Sequence, residues 1–168
     1  TIEKFPSKIL RKKTAPVQNF GDKALTQLIR DMAETMYNAP GVGLAANQVG
    51  LSLRLAVIDA AWRDGDDKPD LRVFIDPKII SKEEPIDFEE GCLSLPGVTA
   101  TTKRFNRVTV HYLDVRGKKQ ELSAEGLHAV ALQHETDHLN GKLYVDHLSA
   151  LKRDLLLKKY KKAKQQAP

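Results

Sequence analysis

Apolar residues recur at helical spacing at Leu25, Leu28, Ile29, Met32 and Met36, which predicts a helix from a cap at Asp22 to about Tyr37, ended by Asn38, Pro40 and Gly41. Leu53 to Ile58 and Val73 to Ile75 are strand-like, and the polar run Arg63 to Asp70 between them reads as a solvated loop. Arg107 to Asp114 and Lys119 to Leu122 form a predicted hairpin around Arg116-Gly117. Leu127, Val130, Ala131, His134 and His138 share one helical stripe, so two histidines continue an apolar face. A last helix is expected from Asp146, with Leu148, Leu151, Leu155 and Leu156 on its apolar side. Residues 1–20, holding Pro6, Pro16 and the basic trio Arg11, Lys12 and Lys13, read as an irregular arm.

Strands beside helices, without repeated βαβ units, indicate an α+β fold. Short antiparallel or mixed strands are expected around a central helix that carries the histidines, with a further helix near each end. A chain of 168 residues, 41% hydrophobic, can bury one sizeable core, so residues 1–168 are expected to form a single domain. No apolar run approaches 18 residues and the N-terminus lacks a signal-peptide core, which predicts a soluble, cytoplasmic protein without a membrane span. A single cysteine excludes an intramolecular disulfide. The net charge of +5 is localised: from Lys152 onward seven basic residues face one acidic residue, so residues 146–168 form a basic tail on a near-neutral body.

Within the central helix stands His134-Glu135-Thr136-Asp137-His138, an H-E-x-x-H pattern. Positions four apart lie on one helix face, so both rings can reach one ion, and Glu135, about 100° around, suits a base acting on water beside it. A catalytic ion of this type needs a third protein ligand. Gly141 matches the metzincin continuation, but the position of its third histidine holds Tyr144, and no Glu follows Glu135. Asp146 and His147 are weak downstream candidates, which turns the search upstream. There the only cysteine lies in Glu89-Glu90-Gly91-Cys92-Leu93-Ser94-Leu95-Pro96-Gly97, read as a turn bounded by Gly and Pro. A lone cysteine is most often a small buried hydrophobe, whereas a thiolate here would complete the site. The stretch Gly41-Val42-Gly43-Leu44-Ala45-Ala46 formally fits a dinucleotide fingerprint, but a helix precedes it and a strand follows, the reverse of what that fold needs.

Three blocks, Gly41 to Gln48, Glu90 to Ser94 and Gln133 to His138, resemble peptide deformylases of the bacterial type in order and spacing, over roughly residues 5 to 148. The resemblance implies removal of the formyl group from the N-terminal formyl-methionine of nascent chains. It implies Cys92, His134 and His138 as ligands of one ion per chain, iron(II) by family likeness, with zinc or another divalent first-row metal possible. Glu135 would be general acid/base, and the Gln48 side chain and Leu93 N–H would stabilise the oxyanion. The peptide would add as a strand on the backbone of Val42, Gly43 and Gly91, its methionine side chain entering a pocket of Phe88, Leu127 and Val130. A Glu90–Arg104 pair, expected at the surface, would brace the cysteine loop. The basic tail is expected to dock on the ribosome, and a monomer is expected. The alternatives are an H-E-x-x-H metallopeptidase and a non-catalytic, metal-stabilised ribosome-associated protein.

Overall fold

The computed structural model describes residues 1–64 and 68–167; part of the polar run between Arg63 and Asp70 therefore lies outside the described residues. Asp22 caps helix α1 (Lys23–Asn38) by accepting from Ala24 N, as predicted. Its stripe buries Met32 and Met36 against Leu44, Leu55, Val57 and Ile75. The chain then makes β1 (Gly43–Ala45), a single 3-10 turn (Ala46–Val49), β2 (Leu55–Ile58), β3 (Arg72–Cys92), β4 (Leu95–Leu113) and β5 (Lys119–Glu125). These five strands form one antiparallel sheet in sequence order.

The fold is α+β, but β3 and β4 span 21 and 19 residues, far longer than the apolar pattern alone marks. Much of β3 alternates between exposed and half-buried positions and carries Pro77 and Pro85, so the pairing, not hydrophobicity, extends it. Register shifts between Ile75 and Lys78, between Ile79 and Ser81, and between Glu90 and Cys92 bend this hairpin. Cys92 pairs with Leu95 across the hairpin tip, so the cysteine ends a strand; it does not sit in a free loop.

Glu125 ends β5 and Gly126, at φ +62°, turns the chain directly into α2 (Gly126–Leu139). Ala129, Ala131 and Leu132 pack with Phe74, Val108 and Val110, small residues allowing the helix close to the sheet. Gln133 staples it there: its Nε2 donates to Phe105 O and its Oε1 accepts from Phe105 N. At the helix end, Arg54 Nη1 donates to Leu139 O, satisfying one terminal carbonyl.

The last helix differs from expectation. Tyr144–His147 is a 3-10 turn, and α3 (Ala150–Gln166) starts at a Ser149 cap. Its buried residues are Leu156 and Tyr160, packed with Leu10 of the N-terminal arm, Leu95, Val98 and Tyr144. Leu151 and Leu155 are 70% and 58% exposed, so the predicted leucine stripe is displaced toward Tyr160. Tyr160 donates to Phe5 O, tying tail to arm.

Candidate active site

Two elements of the fold create the site. Helix α2 presents His134 and His138 one turn apart, and the β3–β4 hairpin tip delivers Cys92 beneath them. His134 Nε2 and His138 Nε2 are 3.1 Å apart, and Cys92 Sγ is 3.3 Å from His138 Nε2. The three donor atoms all lie within 4.8 Å of one another. Two imidazoles and a thiolate converging at this spacing match the ligand set of a first-row divalent ion with an open coordination position. Asp146 and His147, the downstream alternatives, do not join them. Asp146 pairs with Arg11, and His147 Nε2 is 2.7 Å from Asp137 Oδ2.

The thiol and the imidazoles shift one another here. Burial pushes the Cys92 thiol up, but the facing His138 and His134 outweigh it and hold the thiol well below its usual range. Burial would depress His134, yet Cys92 and Glu90 raise it well above the ordinary imidazole value. His134 Nδ1 is 2.8 Å from Glu90 Oε1, which fixes the ring so that Nε2 faces the cluster. Burial alone would raise Glu90, but His134 and Arg104 bring it down to about 2.

The Glu90–Arg104 pair is not at the surface. Both side chains are 3% exposed, joined by two bonds of 2.6 and 2.9 Å, and Thr102 Oγ1 also donates to Glu90. Arg104 Nη1 continues to Asp137 Oδ2 at 2.8 Å. A buried, bidentate network of this kind sets ring orientation much more rigidly than a solvated pair.

Glu135 is 4% exposed, and its Oε2 has no hydrogen-bond partner among the described residues. Burial raises its carboxyl above the usual range, partly offset by His134 and His138. Its Oε1 lies 4.0 Å from His134 Nε2, beside the donor cluster. Gln48 is clamped: Oε1 accepts from Ala45 N at 2.9 Å, and Nε2 donates to Ser94 Oγ at 3.1 Å. The amide therefore aims its NH₂ at the cysteine, 3.7 Å from Sγ. Ser94 ends the second motif block but carries no signal of its own role in the sequence, because a serine two residues beyond a cysteine is common.

A cavity of about 480 Å³ opens onto this cluster. Phe88, Leu127 and Val130 line it, as do Val42, Gly43, Gly91 and Leu93. Val42 O already accepts from Asp59 N toward β2, so antiparallel alternation leaves the groups of Gly43 on the open edge of β1. Tyr144, at the mismatched third-histidine position, stacks on the His134 ring at 6.2 Å and donates to Val98 O.

The polypeptide deformylase family profile matches residues 1–154. A peptide deformylase of Mesorhizobium japonicum is 52% identical over 98% of this chain and 93% of its own length. One of Desulfotalea psychrophila is 49% identical over 94% and 92%. The crystal structure of a peptide deformylase from Legionella pneumophila superposes with a TM-score of 0.88 at 48% identity, covering 100% of this chain and 98% of that one.

Proposed function

The chain belongs to the polypeptide deformylase family and is a metal-dependent hydrolase that removes the formyl group from N-terminal formyl-methionine of nascent polypeptides; on that premise we propose how its own residues do so. Cys92, His134 and His138 hold one ion, iron(II), with zinc able to occupy the same donors. When bound, the ion supplies Lewis-acid polarisation and acidifies water.

Glu135 is the general acid/base. A buried carboxylate with one free oxygen and a raised pKa takes a proton from the attacking water and returns it to the leaving amine nitrogen. Gln48 Nε2–H and Leu93 N–H stabilise the oxygen of the formyl group as charge develops there. The clamp on Gln48 fixes which end of its amide faces the cluster: Oε1 is held by Ala45 N and Nε2 lies on the Cys92 side. The peptide pairs with the open edge of β1 at Gly43 and with Gly91, and methionine enters the cavity between Phe88, Leu127 and Val130.

The buried Glu135 oxygen beside two convergent histidines, without a partner among the described residues, carries this reading, because a purely structural metal site has no use for it. A metallopeptidase is the lesser reading, since the family assignment and the cysteine ligand both favour deformylation. The test is an assay of anaerobically prepared protein, with metal analysis, on a formyl-Met peptide beside its acetyl counterpart. Turnover of the formyl peptide alone is expected; equal turnover of both would overturn the selectivity.

No helix among the described residues is long and apolar enough to cross a membrane. A cytoplasmic monomer acting near the ribosome is part of this proposal, because its substrates are nascent chains. Exposed Leu151 and Leu155 beside Lys152, Lys158 and Lys159 give α3 a surface that combines apolar contact with phosphate attraction.

A further inference from the structure

The open edge of β1 is held from behind by residues outside the three motif blocks. Trp62 Nε1 donates to Gly41 O at 3.1 Å, just ahead of the strand. The indole meets the Tyr37 ring edge-on, with centroids 5.9 Å apart, and Tyr37 OH donates to Asp59 Oδ2. Asp59 is fully buried; its Oδ1 accepts from Ala61 N and Trp62 N, and its N–H donates to Val42 O at 2.8 Å. The closed loop of contacts thus runs Gly41, Trp62, Tyr37, Asp59, Val42. Its target lies close to the hairpin tip: a Cβ on Gly41 would meet Leu93 Cδ1, the end of that side chain, at 2.7 Å.

We propose that Trp62 is a positioning residue for substrate, clasping Gly41 so that the β1 edge and the Leu93 tip stand at the separation an added peptide strand requires. The inference rests on the strand-addition reading of substrate binding. Trp62 touches no reacting group, so its effect belongs to binding of the peptide backbone beyond methionine. Proton transfer at Glu135 is untouched.

The experiment compares formyl-Met-Ala-Ser with formyl-methionine amide, in the metal-loaded enzyme and in Trp62→Phe, which removes the N–H and keeps a ring against Tyr37. KM for the tripeptide should rise about three- to tenfold, the worth of one neutral hydrogen bond, with kcat unchanged and the amide unaffected. Tyr37→Phe, which loosens Asp59 one contact further away, should give the same split to a smaller degree. Identical KM values for wild type and both variants would overturn the clasp, as would an equal fall in kcat on both substrates, the sign of a merely structural role. If wild type itself binds the two substrates equally well, strand addition is wrong, and the clasp falls with it.

Discussion

The α-carbon of Gly43 lies against the side chain of Glu135: a Cβ placed there would stand 2.9 Å from both Glu135 Cγ and Oε1. The glycine in the first motif block thus leaves room for the carboxylate of the third. Gly43→Ala should displace the carboxylate or the β1 edge and lower kcat/KM about 10²-fold, the usual cost of small misplacement at a reacting centre. Metal content should be unchanged. A fully active variant would show that the two residues do not compete for this space.

Glu135→Gln and Cys92→Ala test the proposed base and the proposed ligand separately. The first should retain the ion and lose roughly 10²–10⁴ in rate, because the amide cannot accept the proton. The second should lose tight metal binding altogether. Measuring metal per chain alongside turnover distinguishes them; full occupancy in Cys92→Ala would place the third ligand elsewhere.

Burial makes Arg104 a stability residue as well as an orienting one. Arg104→Ala leaves Glu90 charged and without its bidentate partner in the interior, which costs about 3–5 kcal/mol in comparable pairs. Denaturant unfolding should register a loss of that order. A change below about 1 kcal/mol is what an exposed pair would give and would contradict the burial.

His128, on α2 against Phe74, has Nε2 buried without a partner among the described residues. Burial and then Arg72 lower its pKa below 6.5, against weaker opposing pulls from Asp70 and Asp59. A lowered folded pKa means stability present above the unfolded value and lost as pH falls through the folded one. The stability advantage of wild type over His128→Gln should therefore shrink as pH falls from neutral through the ordinary imidazole range. An advantage that stays constant over that range would rule out a buried neutral imidazole.

The tail must be cut with regard to Tyr160, which is 2% exposed and belongs to the core with Leu10 and Tyr144. A chain ending at Tyr160 loses Lys161, Lys162 and Lys164 and should bind ribosomes less well, more so at low salt than at high salt. Its activity on a short peptide should persist. A chain ending at Lys158 should also lose thermal stability. Equal ribosome binding with and without the three lysines would remove the docking role.

Local patterns were legible where one physical cause dominates. Helical periodicity identified α1 and its Asp22 cap, and i, i+4 spacing put His134 and His138 on one face. Long strands were not, because β3 is held by pairing with β4, while its side chains alternate between solvent and partial burial. The partly displaced stripe has the same origin: four leucines look equivalent in sequence, and docking on Leu10 and Val98 keeps Leu148 and Leu156, adds Tyr160, and leaves Leu151 and Leu155 exposed.

The sequence by itself determined the chemistry available: a thiol, two imidazoles, a carboxylate and an amide, in three motif blocks whose order and spacing occur together. Tertiary structure alone decided their distances and their environment. Cys92 reaches His138 because a bulged hairpin turns back under α2, and Glu90 became a buried anchor because the strand carrying Arg104 lies beside it. Proximity across 46 residues, and the burial that strengthens every charge in the site, are properties of packing, which local spacing does not encode.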